Sequence, residues 1–351
     1  MKFTKSLGKR EFWADALKAL AILLVVILHS SAKAIYAFES ISQLAWNFAN
    51  LLNSISRISV PLFIMISGAF VLNKKEDINQ FIKKRFPRIL LPWFFWGTIQ
   101  LLYNYGFSIN KIIAENFYLK IYSTYFGGFW FMPIILGLYL ITPIIKEYVQ
   151  KTKTKDYLYF FSIWFIFASL IPTLNKLFGV NIAYNLPPFI QYLGYYIAGY
   201  YITHKIKIKK EILNQTKFLF IISIFVIALG TAALSKLDGQ FNETMYDYLN
   251  IPVLVSSIAG FISIKSLLEN MKLKLSKDFR YKVSKISNAS FGIFLSHALI
   301  LDILTKGKLG FTIHGTIISP LIAVPLTILM VFSISAVIIL LLSKYMKRLV
   351  T

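Results

Sequence analysis

The chain has 351 residues, of which 57% are hydrophobic, 16% aromatic and only 15% charged. This composition excludes an ordinary soluble globular domain and is typical of a membrane protein. The net charge of +23 would suit nucleic-acid binding, but the basic residues are dispersed over loops and tails, so we expect membrane lipids and no nucleic acid as their partners.

Ten apolar stretches are each long enough to cross a bilayer, which takes about 20 residues of helix. Their apolar runs are continuous rather than alternating, which favours helices over β-strands. We therefore expect an all-α integral membrane protein in which residues 1–351 form a single bundle of about ten transmembrane helices. The predicted spans are residues 13–34, 48–72, 89–106, 127–146, 157–175, 187–204, 217–236, 249–268, 286–304 and 317–343.

The basic residues predict the orientation of these spans, because cytoplasmic loops are enriched in Lys and Arg. With the N-terminus inside, 29 of the 38 basic residues fall in cytoplasmic loops and tails and seven fall outside. Both termini are therefore expected in the cytoplasm of a cell-membrane protein. The first stretch also has features of a signal peptide, but Asp15 and Lys18 interrupt its apolar core, so we expect it to be retained.

The first predicted span carries three ionisable residues, Asp15, Lys18 and His29. Such residues cost about 2.5–3.5 kcal/mol each at the centre of a membrane helix, so their presence indicates a function or a buried partner. Lys18 and His29 are eleven residues apart and share a helix face, separated by roughly 16 Å. Asp15 and Lys18 suit a headgroup-level ion pair equally well, whereas a deep imidazole is suited to proton transfer.

Three further basic positions stand near the ends of predicted spans. Arg57 begins a stretch with Pro61 and Gly68, and it suits either a headgroup anchor or a polar cavity beside a bent helix. Arg85 and Arg88, close to Lys84, suit either a simple cytoplasmic basic cluster or a clamp for phosphate groups.

His297, in the ninth predicted span, is expected at a depth comparable with His29, either as a functional group or as a satisfied interhelical hydrogen-bond partner. Residues 127–133, which include Trp130, and residues 191–200 place small residues among aromatics, and we predict helix packing at both. No motif for a metal, a nucleotide-binding loop or a nucleophile elbow occurs, and the chain has no cysteine. We expect no metal cofactor.

Taken in order, these segments resemble the acyltransferase 3 family of membrane acyltransferases, over nearly the whole chain. Each piece is weak alone, but the ordered set is specific. The resemblance rests on residues 15–19 with His29, residues 57–61 with Ser67 and Gly68, residues 85–88 with Pro92 and Trp96, residues 129–131 and 139–143, residues 194–199, and residues 290–297.

The resemblance implies an enzyme that moves an acyl group, most commonly acetyl, from acyl-CoA to a hydroxyl of a sugar, a cell-envelope glycan or a lipid-linked glycan, in a bacterial envelope. It also implies a catalytic basic residue and histidine on the first helix, where the family more often has Arg than the Lys18 found here. The expected roles are catalytic for His29, Lys18 and Asp15, donor-binding for Arg85, Arg88 and Lys84, and acceptor-binding for Arg57, His297 and Trp130.

Two mechanisms and one alternative function follow from this pattern. His29 would act as general base on the acceptor hydroxyl, or would itself accept the acyl group. Alternatively, the chain would be a transporter or flippase for a polysaccharide or lipid-linked sugar, with the polar stripe relaying protons. A transporter commonly shows internal symmetry and paired broken helices, and the sequence shows no internal repeat.

Overall fold

A computed structural model of the protein describes residues 11–113, 116–271, 275–306 and 319–350, and within these ranges the regular structure is helical, with no strand. The α-helices are α1 (Phe12–Tyr36), α2 (Gln43–Ser56), α3 (Ser59–Val71), α4 (Ile78–Asn104), α5 (Ile109–Ile113), α6 (Phe117–Tyr122), α7 (Phe131–Lys151), α8 (Thr154–Phe165), α9 (Ile171–Phe178), α10 (Pro188–Gln191), α11 (Leu193–His204), α12 (Lys210–Asp238), α13 (Ile251–Met271), α14 (Lys277–Thr305) and α15 (Pro320–Val350). Short π-helical segments lie at Ser123–Gly128 and Ile166–Leu170, and a 3-10 turn lies at Thr244–Tyr246.

Eight helical stretches of the described residues are long and apolar enough to cross a membrane. They coincide with eight of the ten predicted spans. The other two predicted spans, 89–106 and 187–204, are not confirmed: residues 89–104 of the first form the second part of the longer helix α4, and the second falls mainly on α10 and α11, of which α11 has 12 residues. The eight stretches are Phe12–Tyr36, Gln43–Val71, Phe131–Lys151, Thr154–Phe178, Lys210–Asp238, Thr244–Met271, Lys277–Thr305 and Pro320–Val350.

The cytoplasmic position of both termini stays a prediction. Of the basic residues on which it rests, those at positions 2–10, 272, 274 and 308 lie outside the described residues.

Helix α1 lies at the centre of the bundle, where it packs against α2, α3, α13, α14 and α15. Its apolar residues are buried on several sides, as expected for a helix that is hydrophobic almost all round. One hydrogen bond joins α1 to α14: buried Asp15 accepts it from Ser287 Oγ at 2.7 Å. Asp15 of the polar stripe is therefore buried at the contact with α14, whereas Lys18 is partly exposed and His29 is exposed.

Glycines bring α3 and α11 into backbone contact. A Cβ on Gly68 would lie 1.8 Å from the carbonyl oxygen of Tyr196, and a Cβ on Gly199 would lie 1.9 Å from that of Met65. Small residues permit such close helix approach in membranes. The prediction of helix packing within residues 191–200 is thus confirmed.

The same prediction is wrong for the glycines of residues 127–133. A Cβ on Gly127 would meet nothing within 4 Å, and one on Gly128 would meet only the oxygen of Ser123 at 3.8 Å. Both glycines are exposed and lie at the end of the π-helical segment Ser123–Gly128, so they face open space rather than a neighbouring helix.

Candidate active site

A cavity of about 370 Å³ lies among α1, α3, α4, α7 and α14. This size falls in the usual range of small-molecule sites, about 300–1,000 Å³. Its walls are mainly apolar and aromatic, whereas Lys18, Arg85 and Arg88 contribute positive charge. The other lining residues are Phe63, Ile66, Ser67, Phe70, Val71, Ile89, Phe131, Ile135, Tyr139, Ser287, Asn288, Ser290, Phe291 and Phe294.

Glu76, in the loop before α4, organises the basic residues of this region. Its carboxylate lies 2.5 Å from Lys84 Nζ and 3.3 Å from an Arg85 guanidinium nitrogen. The hydrogen bond from Lys84 and the charge of Arg85 hold the pKa of Glu76 below its ordinary value. Arg85 also lies over the ring of Phe81, 5.5 Å from its centroid. Lys84 is thus half-exposed and engaged with Glu76, while Arg85 and Arg88 line the cavity.

The structure brings His29 of α1 and His297 of α14 together, with ring centroids 5.0 Å apart and planes tilted by 50°. His297 is buried, and its Nδ1 lies 2.6 Å from the carbonyl oxygen of Phe294. Because a carbonyl oxygen only accepts, Nδ1 carries the proton and Nε2 of the neutral ring is an acceptor. In the part of the chain that the structure describes, this buried Nε2 has no hydrogen-bond partner.

His29 is surrounded by protein, yet its side chain is exposed. It therefore borders internal space within the bundle, and a reactant can reach its ring. His297 lies behind it, with an acceptor atom unused. This arrangement suits proton transfer, since one imidazole is accessible and the other is held in one tautomer.

One phenylalanine of the cavity wall also contacts the histidine pair. Phe294 lines the cavity, and its ring centroid lies 5.9 Å from that of His297. Phe131 also lines the cavity and makes an edge contact with Phe294 at 5.4 Å. Phe294 thus connects the cavity wall to His297, and Phe131 packs against it on the cavity side.

Arg57 occupies a break between two helices. The predicted span 48–72 is divided here, since α2 ends at Ser56 and α3 begins at Ser59. Pro61 cannot donate a backbone hydrogen bond to the carbonyl four residues earlier, and it stands in the first turn of α3, where a backbone N–H would have no partner within the helix. The expectation that Pro61 would bend this segment is confirmed, and the break places the Arg57 side chain inside the protein.

The guanidinium group of Arg57 has several fixed partners. It donates to Asn53 Oδ1 and to the carbonyl oxygen of Tyr246, the latter at 3.3 Å. Its carbon lies 4.0 Å from the ring centroid of Tyr246 and 5.9 Å from that of Tyr248. It is also within electrostatic range of His29. Arg57 is therefore a cation held by protein groups beside the histidine pair.

Asn53 joins Arg57 to the helix turn that carries His29. Its side-chain nitrogen donates to the carbonyl oxygen of Leu28 at 3.0 Å and to Ser31 Oγ at 2.9 Å. Asn53 is almost fully buried. Sequence reasoning did not select it, although buried polar residues recur every three or four positions in this apolar stretch, ending at Arg57.

Trp130 lies on the same side as Arg57. It is 36% exposed and stacks on Tyr248, with ring centroids 5.5 Å apart. Tyr248, which sequence reasoning also missed, thus contacts both Trp130 and Arg57. Of the three residues expected on the acceptor side, Arg57 and Trp130 both contact Tyr248. The third, His297, lies against His29.

The family model described as an acyltransferase domain matches residues 11–340, nearly the whole chain. The chain belongs to the acyltransferase 3 family. Together with the eight membrane-length helices, this membership identifies a multi-pass membrane protein.

Two curated relatives of this acyltransferase 3 family member share weak similarity with it. An amino-acid racemase from Enterococcus faecalis is 23% identical over 85% of this chain and 43% of the relative. The nodulation protein NolL from Mesorhizobium japonicum is 23% identical over 70% of this chain and 61% of the relative. The match thus spans about half the length of these relatives. No solved structure matches the chain.

In this family member, Asp15 and Lys18 of the polar stripe lie at the cavity region, since the partner of Asp15, Ser287, lines the cavity together with Lys18. His29, by contrast, lies at the histidine pair. Among the described residues, no group of three or more His, Asp or Glu side chains is arranged to hold a metal ion.

Proposed function

We propose that this protein transfers a short acyl group, acetyl above all, from cytoplasmic acyl-CoA to a hydroxyl group of a sugar or cell-envelope glycan. The observation that carries the proposal is the position of accessible His29. It lies against His297, which contacts Phe294 of the cavity wall, and it is within electrostatic range of Arg57.

The cavity suits the donor. The phosphates of CoA are anionic, and Arg85, Arg88 and Lys18 supply cations at the cavity, two of them with the forked geometry that favours phosphate oxygens. The mainly apolar walls suit the uncharged arm of the donor, with the thioester directed inward. Lys84 acts indirectly, through its ion pair with Glu76, and not by contact with the donor.

The chemistry requires one proton acceptor at the histidine pair. His29 takes the proton of the acceptor hydroxyl as the oxygen attacks the thioester carbonyl carbon. The carbon–sulfur bond then breaks, and the proton passes from His29 to the departing sulfur, which leaves as the CoA thiol. His297 Nε2, which lacks a partner in the described residues, accepts a hydrogen bond from the acceptor and orients it.

The acceptor side is aromatic and cationic. A partly exposed Trp130 stacked on Tyr248 offers a flat face for a sugar ring, and Arg57 offers hydrogen-bond donors to ring oxygens or an anionic substituent. The two relatives are named for different activities, so they do not select one acceptor.

The test uses the full chain in membrane vesicles or nanodiscs, supplied with acetyl-CoA labelled in the acetyl group and a panel of sugars and lipid-linked glycans. We expect acceptor-dependent release of free CoA thiol, with the label covalently attached to the acceptor. Movement of a glycan across the vesicle membrane, with no thiol released for any acceptor, would contradict acyl transfer and support the transporter alternative.

A further inference from the structure

Phe294 both lines the cavity and contacts His297. No other cavity-lining residue described above does both. The ring of Phe294 forms part of the cavity wall, and the same ring lies 5.9 Å from His297. Any group that enters the cavity and moves toward the histidines therefore meets Phe294 last. The ring of Phe131 lies against that of Phe294, with centroids 5.4 Å apart, and the two rings form one aromatic part of the cavity wall.

The backbone that carries Phe294 is fixed. Its carbonyl oxygen accepts the hydrogen bond from His297 Nδ1. Two residues earlier, a Cβ on Gly292 would lie 2.2 Å from the carbonyl oxygen of Val350, so α14 is pressed directly against α15. Because α15 prevents α14 from moving away from the cavity, the size of the side chain at position 294 sets the depth of the cavity.

We propose that Phe294 limits the length of the acyl chain that this protein transfers, so that its donors are short-chain acyl thioesters. This inference rests on the proposed acyl-transfer function. The acyl group of the donor enters first and stands against Phe294. With an acetyl group, the thioester carbon reaches the part of the cavity nearest the histidine pair; each further methylene holds that carbon back toward the cavity entrance.

The expected selectivity is large enough to measure. One methylene in a hydrophobic pocket changes kcat/KM by roughly 10–200-fold. Two additional methylenes, in butyryl-CoA, should therefore lower kcat/KM of the unaltered protein at least tenfold relative to acetyl-CoA. Replacing Phe294 by Ala removes the ring but retains the backbone carbonyl that holds His297, so the cavity deepens while the histidine keeps its tautomer.

The test measures kcat/KM for acetyl-, butyryl- and hexanoyl-CoA with the full-length protein and with Phe294→Ala, Phe294→Leu and Phe291→Ala. Phe291 is the matched control, because it lines the same cavity from the same helix, one turn away. We expect Phe294→Ala to raise the butyryl-to-acetyl ratio at least tenfold and Phe294→Leu to raise it less. Phe291→Ala should keep the preference order of the unaltered protein.

An active, folded Phe294 variant with an unchanged chain-length profile would overturn the proposal, and so would an equal shift in Phe291→Ala. The leucine variant preserves an apolar core residue, so the proposal stays testable if the alanine variant does not fold. These outcomes are distinct from failure of the proposed function, in which the unaltered protein would release no CoA thiol from any donor.

Discussion

Replacement of Asn53 tests whether the position of Arg57 beside His29 governs activity. Asn53 accepts a hydrogen bond from Arg57 and donates two to α1, at the carbonyl of Leu28 and at Ser31 Oγ. Asn53→Ala removes all three bonds at once. Asn53→Asp retains an acceptor for Arg57 but removes the side-chain donor, so it separates the two functions of the amide.

The magnitude follows from the partners that lose a bond. A hydrogen bond to a charged group contributes about 1.5–3 kcal/mol when its buried partner is left unsatisfied. The carbonyl of Leu28 still accepts from Ser31 Oγ at 3.1 Å, so the loss falls mainly on Arg57. If Arg57 acts in the transition state, this energy corresponds to a roughly ten- to hundredfold fall in kcat/KM for Asn53→Ala.

The assay is acceptor-dependent release of CoA thiol, with the thermal unfolding midpoint measured in the same detergent. Ser56→Ala is the matched control, since Ser56 is equally buried in α2 but bonds only within its own helix, to the carbonyl of Leu52. We expect Asn53→Asp to retain more activity than Asn53→Ala. Equal losses of activity in Asn53→Ala and Ser56→Ala, in step with stability, would refute a positioning role.

Two further predictions concern the cavity region and the helix packing. The pKa of Glu76 is lowered from 4.5, chiefly by the hydrogen bond from a lysine, so its pairing with Arg85 persists at neutral pH and is lost only as the pH falls through that lowered value. Glu76→Gln removes a carboxylate that competes with the phosphates of the donor for Arg85. We expect the KM for acyl-CoA to fall by up to about fivefold at low salt and to be unchanged in about 1 M salt. A raised KM would contradict this. Gly199→Ala should lower the unfolding midpoint by forcing a Cβ to within 1.9 Å of the Met65 carbonyl, at a cost of about 1–3 kcal/mol, whereas Gly127→Ala, which meets nothing within 4 Å, should leave it unchanged.

The candidate functional residues could be selected from sequence where a charge or an imidazole stood in an apolar span, because such groups are costly in lipid. This reasoning selected His29 and His297. It could not show that α1 and α14 are neighbours, since the two histidines are separated by most of the chain. Asn53, in α2, and Tyr248, in the turn before α13, were missed because an amide or a phenol in an apolar stretch is common and gives no signal until its partners are known.

The fold departs from the sequence expectation where helix boundaries do not follow charge. The span predicted at 89–106 belongs to α4, which begins at Ile78, because the Asp77 side chain caps the helix by accepting from the backbone of Gln80 at 3.1 Å. The basic residues that precede position 89 therefore lie inside helix α4 and not in a loop before it. The span predicted at 187–204 is shortened because Pro187 and Pro188 stand at its start and α11 proper begins only at Leu193.

The central claim is that His29 is the general base of acyl transfer, and a single-turnover measurement with His29→Ala tests it most directly. The experiment supplies labelled acetyl-CoA, at a concentration below that of the purified protein, together with saturating acceptor and follows the label on the acceptor. We expect His29→Ala to remain folded and membrane-inserted and to bind acetyl-CoA, with transfer lowered by roughly 10²–10⁴-fold, the usual contribution of general base catalysis. Transfer at the rate of the unaltered protein would contradict the claim.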